Sequence, residues 1–127
     1  MADGGFADRV NPTHDEIRAW AYRGGWEPMQ DWDVIIAELD NLDVLLELVG
    51  DPDCPSRDYL VGALYCLAGH TEHSDPVLVA AAVLAEKSSD SWVSTWGRRV
   101  LEVIDHPERF DRGEWCGWFG LRDTPAG

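Results

Sequence analysis

The sequence predicts an all-α fold of about six helices in antiparallel hairpins, arranged as a HEAT-like array or an irregular helical bundle. Three observations carry this expectation. Apolar residues recur at three- and four-residue steps along most of the chain. The segments so marked begin at Thr, Ser or Asp and, in one case, at Asp-Pro, the residues that start helices. No segment shows the sustained apolar/polar alternation of a half-buried strand. Connections of roughly 2–8 residues then imply antiparallel neighbours.

Residues 1–12 are mostly polar and carry no period, so a flexible lead-in is expected ahead of a single domain over 13–127. Thr13-His-Asp-Glu16 is a capping box, and Ile17, Trp20 and Ala21 follow at helical spacing. Gly24-Gly25 supplies the stop, which gives a helix over about 14–23. Asp31 is the next N-cap. Trp32, Ile35, Ile36 and Leu39 form one apolar face, and Asp33 sits in the first turn where the helix dipole favours an acid. Val44 to Val49 could pair as a buried strand, but its helical flanks and the lack of a strand partner favour helix. Asp51-Pro-Asp-Cys-Pro55 is a rigid turn. Ser56 then caps a helix over about 57–68, with Tyr59, Leu60, Ala63, Leu64 and Leu67 inward and Gly69 closing it.

Ser74-Asp75-Pro76 starts the next helix, with proline at the first helical position. Residues 77–87 are apolar nearly all round, which predicts burial on more than one side. Asp90 or Ser91 caps a helix over about 91–104 that carries Trp92, Val93, Trp96, Val100, Leu101, Val103 and Ile104, and Pro107 ends it. The tail from Pro107 to Gly127 is aromatic and Gly-rich, with a turn of helix expected near 108–110. Two hairpins stand out, 42–49 with 57–68 and 76–87 with 91–104. Their second helices start 34 residues apart, at Arg57 and Ser91. From Asp75-Pro76 through Asp90 and Val93 to Leu101 the chain resembles a HEAT-like repeat, with an alanine-rich first helix and an aspartate-capped second. The resemblance covers about 42–105. It implies a stacked helical array with a binding surface and no chemistry of its own.

The chain has 127 residues, 45% of them apolar, which suits one globular domain. Ten basic residues face 24 acidic ones, for a net charge of −14. Such a chain lacks the basic footprint of a nucleic-acid binder and is repelled by anionic membranes. The longest apolar run, Pro76 to Ala85, is too short to span a bilayer. The first residues show no basic-then-apolar export signal, so a cytoplasmic location is expected. Cys54, Cys66 and Cys116 are odd in number and far apart in sequence, which predicts reduced thiols. Cys66 lies on an apolar helical stretch and is expected to be a core residue. Cys116, in Trp115-Cys-Gly-Trp118, lacks the second cysteine of a redox loop.

Little in the sequence points to chemistry. His70-Thr-Glu-His73 with Asp75 has no thiolate pair to complete a metal site, and it reads as a solvated loop. There is no nucleophile elbow, phosphate-cradling Gly loop or His-Glu-x-x-His, and Ser91, Ser94 and Thr95 have no base nearby in sequence. No catalytic residue, metal site or cofactor is therefore expected.

The informative feature is the charge pattern. Between Glu27 and Asp58 lie ten acids and one base, Arg57. Crowded acids are either a solvated face or a docking face for a basic partner, because complementary potentials speed encounter and reject wrong partners. The expected partner-binding residues are Asp31, Asp33, Glu38, Asp40, Asp43, Glu47, Asp51 and Asp53, with Trp26 as an aromatic anchor. Of seven tryptophans, Trp20, Trp32, Trp92 and Trp96 occupy core-facing positions, while Trp26, Trp115 and Trp118 lie in loops or the tail, where sealing the core is the leading role. In size, charge and helicity the chain resembles small acidic bacterial immunity proteins. That resemblance implies a non-enzymatic inhibitor that neutralises a basic toxin domain. Two alternatives carry other expectations: a nucleic-acid mimic, with its acids in an elongated row at phosphate spacing, and a small enzyme whose inter-helix pocket gathers His70, His73 and Cys116.

Overall fold

In the computed structural model, residues 10–23, 28–29, 31–70 and 75–111 are described. They form α1 (His14–Arg23), α2 (Trp32–Ile35), α3 (Leu42–Val49), α4 (Arg57–His70), α5 (Pro76–Glu86) and α6 (Ser91–Asp105). Two 3₁₀ turns, Leu39–Asn41 and Pro107–Arg109, complete the described residues, among which there is no strand. The all-α fold read from the sequence is therefore the fold of the chain. The lead-in over 1–9, the glycine stop at 24–25 and most of the aromatic tail lie outside the described residues.

Local chemistry explains most of the helix ends. The capping box forms in both directions: the Glu16 amide donates to Thr13 Oγ1 at 3.1 Å, and the Thr13 amide donates to Glu16 Oε1 at 2.8 Å. Asp75 accepts from the amides of Val77 and Leu78, with Pro76 at the first position of α5. Asp90 accepts from the amides of Trp92 and Val93 at 2.9 and 3.0 Å. The segment after Asn41 is helix and not strand, and it starts at Leu42, two residues earlier than its apolar run suggests.

The second element departs from expectation. Helical spacing through Leu39 predicts about two turns, but α2 is a single turn ending at Ile35. Asp31 sits in the left-handed region, at φ 59 and ψ 30, and its side chain makes no cap hydrogen bond. The β-branched run Val34-Ile-Ile36 favours helix poorly, and Glu38 is extended. Buried Asn41 donates its side-chain N–H to the Ile36 carbonyl at 3.0 Å, and the same carbonyl accepts from the Glu38 amide at 2.9 Å, so the turn that ends α2 is held twice. α4 also differs. It runs through Gly69 to His70, so this glycine does not close the helix. A Cβ at Gly69 would collide with the Phe110 ring, which stacks on Tyr65 with centroids 4.9 Å apart. The Asp111 amide donates to the Tyr65 hydroxyl at 3.0 Å and holds this return of the chain.

The core has three parts. Trp20 of α1, Trp32 of α2 and Tyr59 of α4 form an aromatic cluster with centroid separations of 4.9–6.3 Å. Leu42, Val44, Leu45, Leu48 and Val49 of α3 pack with Leu60, Leu64 and Leu67 of α4. Leu78, Ala82 and Ala85 of α5 face Trp96, Val100 and Val103 of α6. The α3–α4 and α5–α6 hairpins pack together through α4 and α6. Trp20, Trp32 and Trp96 are buried as expected, whereas Trp92 is half-buried against Arg57.

Arg57 ties the hairpins. Its Nε donates to the Val49 carbonyl at the end of α3 (2.7 Å), and Nη2 pairs with Asp90 at the start of α6. Its guanidinium stacks over the Trp92 ring, 4.4 Å from the centroid. The Arg57 and Asp90 side chains are 14% and 22% exposed, so water screens the pair weakly.

Cys66 is buried, as expected, but it is disulfide-bonded, which overturns the reading of three reduced thiols. Distance along a chain sets no limit on distance in a folded bundle, so wide sequence spacing was no argument against a bond. Cys54 is a free, buried thiol that donates to the Ala21 carbonyl, and desolvation raises its pKa and keeps it unreactive. Cys116 lies outside the described residues.

Two expected outcomes follow. A Cβ at Gly97 of α6 would lie 2.5 Å from the Glu86 amide nitrogen and 2.7 Å from the Ala82 carbonyl oxygen. Those neighbours are backbone, so the helices must separate to admit it. Gly97→Ala should gain about 1 kcal/mol of helix propensity but lose about 2–3 kcal/mol to overpacking; a urea midpoint at or above that of the parent would show that the α5–α6 crossing is loose. Asp90→Ala removes a cap and an ion-pair partner together and should cost about 2–3 kcal/mol, whereas Asp90→Ser keeps a capping oxygen and should cost about 1 kcal/mol less. Equal losses in urea unfolding would show that the cap contributes nothing.

Candidate protein-docking face

The acids singled out by the sequence lie on α2, on α3 and on the turns that flank α3, and the structure gives them different fates. Asp33 is only 4% exposed and accepts from the Val34 amide at 3.0 Å, so it serves the fold and is withdrawn from any docking face. Helical spacing cannot report this, because burial is set by what packs on a segment and not by its period. Glu47 is exposed but gripped by Arg18 of α1 through two parallel bonds of 2.8 and 3.0 Å, and Arg18 also reaches Asp15. These bonds hold the Glu47 carboxyl below its usual pKa and raise that of Arg18. Asp51 accepts from the Tyr22 hydroxyl and, at 2.9 Å, from the Asp53 amide.

Glu38, Asp40, Asp43 and Asp53 are exposed, and their carboxylates have no cationic partner among the described residues. Asp40 contributes only its backbone carbonyl, which accepts from His14 Nε2 at 2.8 Å. Asp31 is exposed at the start of α2. The structure thus leaves an uncompensated acidic stretch along α3 and its flanking turns. Trp26 lies outside the described residues.

A second feature borders this stretch. An open groove of about 400 Å³ runs between α3, α5 and the start of α6. Leu42 and Leu46 line one wall, Val77, Ala81 and Leu84 the other, and Asp43 stands at its edge. Leu84 is 74% exposed and Val77 is 56% exposed. The expectation that α5 is buried on more than one side is therefore overturned: α6 covers one face, and Val77, Val83 and Leu84 face outward. Sequence reading missed these residues as a surface, although their signal was present. A helix apolar all round has either two covering neighbours or one bare face, and the sequence does not say which.

Of the residues proposed for chemistry, Thr71, Glu72 and His73 lie outside the described residues, as do Cys116 and the side chain of His70. Among the described residues no three His, Cys, Asp or Glu side chains gather as a metal site. No described helix is long and apolar enough to cross a membrane.

The Tyr22–Asp51 bond carries a pH signature. Asp51 raises the Tyr22 pKa to about 12 from 10.0, and Tyr22 lowers that of Asp51. A raised tyrosine pKa stabilises the fold below pH 10.0, and this contribution is lost as pH rises through about 12. The lowered carboxyl pKa stabilises above the usual carboxylate range and is lost as pH falls through it. Tyr22→Phe should therefore be less stable than the parent at neutral pH, with the gap closing toward both extremes. Difference ultraviolet titration of parent against Tyr22→Phe checks the alkaline arm, and a Tyr22 midpoint near 10 would mean that the bond does not persist in solution. No protein-family model, no curated protein and no solved structure matches this chain.

Proposed function

We propose that the chain is a non-enzymatic protein-binding domain whose acidic surface docks a basic protein. The carrying observation is that Glu38, Asp40, Asp43 and Asp53 remain exposed and uncompensated along α3 and its flanking turns. Arg18 and Arg57 are each committed to internal bonds. Self-repulsion among these acids costs stability that the fold does not recover internally. Contact with a positive surface would relieve it and would accelerate encounter. The concrete form is an immunity or inhibitor protein that occupies the positively charged cleft of a toxin domain. Resemblance to small acidic immunity proteins in size, charge and helicity supports this form by analogy only. The stacked hairpins are the scaffold that a HEAT-like reading would supply for such a surface. The expected cytoplasmic setting sits against the Cys66 disulfide, since reducing compartments do not sustain such bonds.

The test is capture of binding proteins from the source cells at rising salt, followed by reconstitution with the purified partner. The expected partner is basic, released as ionic strength rises, and lost when Glu38, Asp40, Asp43 and Asp53 are changed together to Gln or Asn. Because those side chains are exposed and unpaired among the described residues, the variant should unfold no more easily than the parent. Retention of every interaction by the neutralised variant would overturn the proposal.

A further inference from the structure

We infer that the groove between α3 and α5 seats an amphipathic helix of the basic partner, apolar side inward and with a Lys- or Arg-bearing flank against Asp43. The inference rests on the proposed acidic docking function and names where, and by what secondary structure, that partner binds. The groove walls are aliphatic: Leu42 and Leu46 on α3, Val77, Ala81 and Leu84 on α5. Leu84 and Val77 stand largely in water, an arrangement that costs free energy in an isolated monomer and marks interaction sites. Helical walls from α3 and α5 with a mostly aliphatic lining suit a third helix, which fills such a groove with residues at i, i+3 or i+4 and i+7. A volume of about 400 Å³ takes a few aliphatic side chains rather than a whole domain.

Charge selects the occupant. Asp43 lines the groove and has no partner among the described residues. Asp40 and Glu38 lie just before α3 on exposed turns. At the far end of α5, Glu86 and Lys87 are both exposed and carry opposite charges. A second copy would bring another net charge of −14 to the same place, and an anionic membrane would be repelled for the same reason. A small polar ligand would find only Asp43 and Ser88 as polar groups in an otherwise aliphatic lining. A cationic amphipathic helix satisfies both the apolar walls and the acidic edge.

The experiment uses the full chain and synthetic helical peptides, one with Leu on one face and Lys on the other, and one with Glu in place of every Lys. Binding is read by calorimetry at low and high salt, for the parent, Leu84→Glu and Asp43→Asn. Leu84 is exposed, so Leu84→Glu should fold, which circular dichroism confirms. The substitution adds an acid, and docking driven by charge alone would strengthen. The expected result is Leu/Lys binding weakened at least tenfold by Leu84→Glu, weakened severalfold by Asp43→Asn, and no detectable Leu/Glu binding. Leu/Lys binding that Leu84→Glu leaves unchanged or strengthens would overturn the groove as the seat and leave the acidic surface reading standing. Equal binding of both peptides, abolished by Leu84→Glu, would overturn the charge-based reading and this inference with it. Dimerisation of the parent in sedimentation, abolished by Leu84→Glu, would assign the groove to a second copy and overturn the inference.

Discussion

The Arg57 guanidinium is the junction on which the arrangement of the helices depends. It begins α4, donates to the Val49 carbonyl at the end of α3, and meets the residue that caps α6. Trp92 covers its face. One rigid, five-donor group thus binds the end of one hairpin helix to the start of another in a half-dry site, where an ammonium could not reach all three partners with the same geometry. Asp90 serves twice, one oxygen capping α6 and the other closing the pair, so the start of α6 and the packing of the hairpins are set together. Arg57 is also the single base in the acidic stretch from Glu27 to Asp58. The chain places its one local cation where three elements meet and leaves Glu38, Asp40, Asp43 and Asp53 without a cationic partner among the described residues.

That choice links stability to the proposed function. Arg18 neutralises Glu47 across α1 and α3, and Tyr22 holds Asp51, so the acids nearest α1 help to fasten that helix. The acids that remain free are those the fold does not need. Beside them α5 turns Leu84 and Val77 to water. A basic partner helix would supply the missing layer and the missing charge at once. On the other side of α5 the packing is complete, because Gly97 lets α6 approach until backbone meets backbone.

Legibility followed the range of the interaction. The capping box at Thr13, the Asp75-Pro76 start and the Asp90 cap are contacts between residues two or three apart, and each was readable as letters in order. The starts of α4 and α6 were equally plain. Most of what failed was non-local. One local signal was passed over: the β-branched run Val34-Ile-Ile36, followed by the extended Glu38, cuts short a helix whose spacing was sound. Gly69 looked like a helix stop and is instead the floor under Phe110, a residue more than a turn beyond the end of α6. For the candidate site, the acidic stretch was legible as composition, but the withdrawal of Asp33, Glu47 and Asp51 into internal bonds was not.

Periodicity, capping letters and charge density already dictate that this chain folds as packed helices and that its first half is strongly negative, because those properties arise between neighbours in sequence. Which acids stay free, which face of α5 stays bare and where Arg57 binds were decided only when distant segments came together. Each is a matter of partner supply. A carboxylate, a leucine face or a guanidinium is spoken for only if the fold delivers its complement, and the list of residues does not say what arrives.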